Sequence, residues 1–214
     1  MNPLRILKLA ALSLCLGIAA CASSDVVVDR HERSVTLRPG DLEAHGIAFV
    51  TPSTVTGQEQ EKQAVALVFA DVLARGRPKV RIATLAETLN AVSRAGHSDT
   101  YRRMFESYRD TGLLRSDALQ KVGSAAGARY IAQLKVQKFS QGSKNRMNIL
   151  GFRVFETQIG EVRLFFQIWD SADGSVAWES MQERSITSEG FREKPILQDT
   201  IIRAAAEDLV ARLP

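Results

Sequence analysis

The chain has 214 residues, 45% hydrophobic and 24% charged, proportions usual for a globular protein. Its formal charge is +4; setting aside Arg5 and Lys8 from the 28 Lys and Arg leaves 26 against 24 Asp and Glu. A balance so near neutral argues against a nucleic-acid partner, and with only Cys15 and Cys21 present the body of the chain has no disulfide framework and no Cys-based zinc site.

The N-terminus has the layout of a secretory signal. Arg5 and Lys8 form a short positive region, residues 9–18 are apolar, and no Asp or Glu occurs before Asp25. The apolar core is too short to span a bilayer comfortably. Its end, Leu16-Gly17-Ile18-Ala19-Ala20-Cys21, resembles the lipobox of bacterial lipoproteins, with Ile18 where Leu is most usual. The resemblance implies that residues 1–20 are a signal peptide cut between Ala20 and Cys21. It also implies that Cys21 carries lipid, a diacylglycerol and a further acyl chain such as palmitate. Two or more chains make such an attachment stable. Ala22 rather than Asp after the cysteine implies sorting to the outer membrane, facing the periplasm. Cys15 leaves with the signal, so the mature body is free of thiols.

Residues 21–44 read as a lipidated cysteine followed by a polar tether, with Pro39-Gly40 as a turn and Val26 to Val28 as a candidate edge strand. As a coil this tether would span about 25 Å on average and about 75 Å when stretched. The expected periplasmic domain covers residues 45–214. Ile47 to Val50 predicts a buried strand. Ala64, Leu67, Val68, Val72 and Leu73 recur at helical spacing until Gly76 and Pro78. Residues 80–83 predict a second strand. Thr84 with Glu87 predicts a capping box at the head of a helix faced by Leu85, Leu89 and Val92. A further helix runs from Ser98, with Met104, Phe105 and Tyr108 inward, and another is expected to be capped by Ser116, with Leu119 and Val122 inward.

Tyr130, Ala132, Leu134 and Val136 alternate as one face of a strand. Residues 141–151 read as a basic loop holding Lys144, Arg146, Met147, Ile149 and Leu150, a candidate surface for a partner or a membrane, or else a flexible solvated loop whose apolar end packs down. After a short strand at 152–157, residues 161–170 predict a strand with Val162, Leu164, Phe166 and Ile168 on one face and Phe165 and Trp169 on the other. Asp173-Gly174 turns the chain into a partner strand carrying Val176 and Trp178. Residues 196–213 predict an amphipathic helix with Ile201, Ile202, Ala205, Leu209 and Val210 inward. No internal repeat is visible. The order predicts an α/β fold: one sandwich with a small mixed sheet flanked by helices and closed by a C-terminal helix.

Two stretches carry a second resemblance: Val122-Gly-Ser-Ala-Ala-Gly-Ala-Arg-Tyr-Ile131, and Phe166-Gln-Ile-Trp-Asp-Ser-Ala-Asp-Gly-Ser-Val-Ala-Trp178. The pair resembles the periplasmic domain shared by the TolB N-terminal part, the curli secretion-channel lipoproteins and lipoprotein activators of penicillin-binding proteins. It implies a fold and a location, and no catalytic residues. Residues 123–127 lack the preceding strand and the Lys-Ser/Thr ending of a phosphate loop, so they read as small residues packing a helix end.

No Gly-x-Ser-x-Gly elbow, His-Glu-x-x-His or P-loop is present. His31, His45 and His97 lack ligand spacing. Asp170 and Asp173 flank a turn, where turn chemistry explains them more simply than acid–base work. Trp169 and Trp178 read as core more readily than as a ligand platform. The expectation is a non-enzymatic, membrane-anchored lipoprotein that binds another envelope protein, with no cofactor or metal and with oligomers compatible. The alternatives are a subunit of a curli-like channel and an activator of a peptidoglycan synthase.

Overall fold

Alternating apolar residues in the second half of the chain dictate the sheet, and the remaining elements pack on its two faces. A computed structural model describes residues 23–54, 59–149, 152–190 and 196–214. The elements run β1 (Ser23–Ser34), α1 (Asp41–His45), β2 (Ile47–Phe49), α2 (Glu59–Gly76), β3 (Ile82–Ala83), α3 (Leu85–Arg94), α4 (Ser98–Thr111), α5 (Ser116–Ala126), β4 (Tyr130–Ile149), β5 (Phe152–Asp170), β6 (Val176–Gly190) and α6 (Gln198–Ala211). One six-stranded sheet has the order β1-β6-β5-β4-β2-β3. β2 is parallel to β3 and β4; all other neighbours are antiparallel. The α/β class with a mixed sheet, flanking helices and a terminal helix is therefore the fold.

Period-two alternation divides the core. Tyr130, Ala132 and Leu134 of β4, with Leu164, Phe166 and Ile168 of β5, meet α2 and α6 through Phe69, Leu73, Ile201 and Leu209. Phe166 joins Phe69 and Trp178 edge-on, at 5.4 and 5.3 Å between ring centres, the geometry favoured by ring quadrupoles. On the other face Ile131 and Trp169 meet Val92, Met104, Leu119 and Val122 of α3, α4 and α5. Trp169 and Trp178 thus belong to opposite cores and form no shared platform.

Several expectations need correction. The segment read as a tether is mostly ordered: β1 pairs with β6 over Ser23 to Ser34, and Leu37 and Leu42 enter the core. Asp208 of α6 anchors this strand, accepting from Arg30 of β1 and from Gln182 Nε2 of β6, the latter at 2.7 Å. The basic loop is the end of a long hairpin: Lys144 is paired with Thr157, Met147 with Phe155 and Ile149 with Phe152. Leu150 and Gly151 lie outside the described residues, as do residues 191–195 of the expected break. The strand expected at 80–83 shrinks to Ile82–Ala83. Ser116 begins α5 rather than capping it; Arg115 holds the cap position. Leu67 faces solvent, 62% exposed, while Val65 and Phe69 fill the core beneath α2. The Thr84–Glu87 capping box is present in both directions.

Candidate functional site

Cross-strand pairing places the start of β1 and the hairpin tip at one end of the sheet. Ser23 is opposite Ser188, Ser188 opposite Gln158, and Gln158 opposite Ser143. From Ser143, β4 continues six residues to Ile149 before the chain returns as β5. Six residues of strand rise about 20 Å. Sheet twist of roughly 20–25° per neighbour, over the three steps from β1 to β4, leaves about 5–10 Å of that rise along the direction of β1. Cys21 and Ala22, the two residues before β1, reach at most about 7 Å. The hairpin therefore rises beyond the end of the sheet at which β1 begins.

Composition along the hairpin changes toward the tip. Residues 141–146 are Gln-Gly-Ser-Lys-Asn-Arg; residues 147–155 contain Met147, Ile149, Leu150, Phe152, Val154 and Phe155 with one cation, Arg153. The sequence-predicted site residues Lys144, Arg146, Met147 and Ile149 are thus brought together on one strand end. Ala20 and Cys21 lie outside the described residues.

The two stretches that carried the second resemblance meet each other. Tyr130 of β4 is paired with Asp170 of β5. Arg129 clamps the Asp170 carboxylate, donating from Nε at 3.0 and 3.1 Å and from its terminal nitrogen at 2.7 Å. The Ala172 N–H adds a third donor, and a fourth contact, at 2.9 Å. Arg129 also lies over the Tyr130 ring, 5.7 Å from its centre. Burial first, and Asp41 next, push the Tyr130 hydroxyl up to about 12. A Cβ at Gly123 would fall 2.5 Å from Ser171 Oγ, so the glycine lets α5 touch the β5–β6 turn. Gly174, at φ +82°, likewise sits where a Cβ would strike Ser116. Asp173 accepts from the Ser175 N–H at 2.8 Å. Both carboxylates thus hold the turn in place. Of the histidines, His31 lies on β1 with its Nε2 3.5 Å from Asp29; His45 ends α1 and His97 precedes α4. Among the described residues no cluster of His, Cys, Asp and Glu is arranged to hold a metal.

A groove on the other side of β4 was not foreseen. Its cavity, about 680 Å³, lies between the segment after β2, the exposed flank of α4 and Lys135 of β4. Tyr101 anchors one wall, its hydroxyl 2.9 Å from both the Thr51 N–H and Thr51 Oγ1. The available signal was the i, i+4, i+7 stripe of Tyr101, Phe105 and Tyr108, which reads equally well as core; Met104 takes the buried position instead.

No protein-family model matches this chain, and no curated protein matches its sequence. Solved structures give distant likenesses of fold. The PelC dodecamer from Paraburkholderia phytofirmans is 16% identical, covering 86% of this chain and 94% of its own, with a TM-score of 0.43. Lipoprotein GNA1162 from Neisseria meningitidis is 15% identical over 78% and 98%, with a TM-score of 0.37. The LpoB C-terminal domain from Salmonella enterica is 12% identical over 80% and 90%, also at 0.37. These likenesses select no branch of the group expected from the sequence.

Proposed function

We propose that the chain is a non-enzymatic lipoprotein of the bacterial cell envelope, acylated on Cys21 and sorted to the outer membrane, that binds another envelope protein close to the membrane surface. The observation that carries this reading is the coincidence of two features at one end of the sheet. The lipobox ends two residues before β1 in sequence, and the hairpin with the apolar residues projects from the end of the sheet at which β1 begins. A second contact orients a domain that one flexible anchor would leave free to tumble. Met147, Ile149 and Leu150 enter the headgroup region in this reading, with Lys144 and Arg146 at the anionic surface; interfacial segments bury about 5–10 Å in this way.

Fractionation tests the anchor: Cys21→Ser should leave the protein soluble or unprocessed, and unchanged sedimentation with the outer membrane would overturn the lipid reading. Crosslinked pull-down from envelopes should recover one specific partner; repeated recovery of none would remove the interaction role. For the tip, the Cys21→Ser chain should bind vesicles containing phosphatidylglycerol, and Met147→Ser with Ile149→Ser should abolish that binding.

The 20- and 19-residue strands of the hairpin favour one second reading, a subunit of an outer-membrane channel. A spanning strand needs about 9–11 residues of alternating pattern. Residues 141–146 are polar throughout, so the apolar tip is shorter than a span. Detergent-extracted rings in electron microscopy would decide for the channel. An activator crossing the wall loses support, because the anchor segment now adds only about 7 Å of reach.

A further inference from the structure

We infer that the groove between α4 and β4 is a docking site for an acidic, aromatic-containing peptide segment of the envelope partner; this rests on the protein-interaction reading above and names the partner's chemistry. The groove has the volume usual for ligand sites. Its wall carries four cations from three elements, Lys62 of α2, Arg102 and Arg109 of α4 and Lys135 of β4, against one carboxylate, Glu106. That carboxylate is already bound: Arg102 donates to Glu106 at 2.6 Å and lies 3.8 Å from Asp99. Arg109 Nε is 3.3 Å from Asp110, and the Arg109 side chain is 76% exposed. Lys135 makes no ion pair among the described residues, though half-buried on the strand. Between these charges lie three half-buried rings, Tyr101, Phe105 and Tyr108.

The shape favours a peptide. A second hollow of about 350 Å³ shares Ser53, Thr54 and Lys135 with the first and runs on beside Gln137 and Lys138, so the two form one trough. Ser53 makes the last parallel bridge to β4, at Lys135, and among the described residues no strand pairs with β4 on that side beyond it. Extra backbone at Gln137 interrupts the ladder there, which blunts plain strand addition and leaves side-chain recognition as the main contact. A saccharide fits less well. Sugar hydroxyls are gripped best by carboxylate and amide side chains, and the wall of the larger groove has no Asp, Asn or Gln and only the occupied Glu106, leaving hydroxyls as its other side-chain acceptors. Acidic side chains on Lys135 and Arg109, with aromatic side chains on the three rings, use what the wall offers.

The test uses the mature chain with Cys21→Ser and a fluorescein-labelled peptide of alternating Asp and Phe. The expected result is saturable binding, weakened at least tenfold by Lys135→Glu and by Arg109→Glu, with unfolding midpoints unchanged. A peptide of alternating Lys and Phe should not bind. Equal binding of both peptides, or affinity untouched by either variant, overturns the proposal. Binding of oligogalacturonate in place of the acidic peptide overturns it in favour of a saccharide. Crosslinking of the lipidated chain in envelopes separates the two levels. A partner captured equally by wild type and Lys135→Glu refutes the groove alone, whereas no partner for wild type refutes the interaction reading itself.

Discussion

The Arg129–Asp170 pair should break asymmetrically. Asp170 is 4% exposed and takes three contacts from Arg129 and one from the Ala172 N–H, whereas the Arg129 side chain is 43% exposed. Arg129→Met keeps an apolar stem over Tyr130 and leaves a buried carboxylate with one donor. Removing one partner of a buried pair costs about 3–5 kcal/mol; water access to this site lowers the expectation to about 2–3 kcal/mol. Asp170→Asn keeps the shape and leaves a guanidinium that water can reach, so only the charge-assisted part of the bonding is lost, about 1–2 kcal/mol. Combining the two should cost no more than Arg129→Met alone, because no buried charge remains. Urea unfolding followed by fluorescence of the buried Trp169 and Trp178 reads this directly, and with slopes of about 1–3 kcal/mol per molar urea the Arg129→Met midpoint should fall by about 1 M. Asp170→Asn proving as costly as Arg129→Met would refute the assignment of the cost to a stranded carboxylate.

Three other perturbations follow from local geometry. Gly123→Ala places a methyl 2.5 Å from Ser171 Oγ and 2.8 Å from the Ala128 carbonyl oxygen; it should cost about 1–3 kcal/mol in urea unfolding, with partial recovery by Ser171→Gly. Thr84→Ala removes the side-chain half of the capping box, leaving the residue-84 N–H on the Glu87 carboxylate, and should cost about 1 kcal/mol. The Thr84 N–H first, and the Thr84 hydroxyl next, hold the Glu87 carboxyl below its usual range; only the hydroxyl's share is lost in Thr84→Ala, so that part of the wild-type advantage is present above the usual carboxylate range and lost as pH falls through the lowered value. Tyr130 works in the opposite direction. Its folded value of about 12 lies above the unfolded value of roughly 10. The unfolded chain therefore ionises first, and stability held below pH 10 declines between pH 10 and 12 by on the order of 2–3 kcal/mol. Tyr130→Phe should flatten that decline in urea midpoints measured across the interval.

Sequence reading worked where a face is buried and failed where the chain is half in solvent. The alternation in β4 and β5 is legible because each inward residue meets a packed helix, and the Thr84–Glu87 cap is legible because its chemistry is local. Of β1 only Val26 to Val28 was legible, as a candidate edge strand that the structure bears out; the rest was taken for a tether because an edge strand has one neighbour, and Asp25, Asp29, Arg30, Glu32 and Arg33 give it a coil-like composition. What fixes it is Asp208, almost 180 residues away in sequence, a contact that no local pattern announces. The hairpin was missed because irregular pairing between Asn145 and Asn148 breaks its period of two just where polar residues dominate. Cys21 was visible as a motif, whereas the groove exists only once α4, β4 and the segment after β2 are brought together.

The open edge of β1 sets a constraint on assembly that the proposed lipid anchor would enforce. Among the described residues no strand covers that edge, and Val26 and Val28 of β1 are 52% and 60% exposed. Two free chains can pair their β1 edges antiparallel, the usual hazard of a long uncovered strand. Such a pairing, centred on the 12-residue strand, sets the two Ser23 residues about 36 Å apart at opposite ends. The two residues from Ser23 back to Cys21 add at most about 7 Å on each side. Two lipids pointing in opposite directions cannot share one leaflet, so the proposed lipidation on Cys21 would forbid this dimer on the membrane and leave only side-by-side arrangements with the strand starts at one level. The Cys21→Ser chain should therefore self-associate with rising concentration in sedimentation velocity, and Val28→Lys should suppress it. The lipidated chain in nanodiscs should yield no β1–β1 crosslink between cysteines placed at Val28. Recovery of that crosslink from nanodiscs would show that the anchor does not fix the direction of β1.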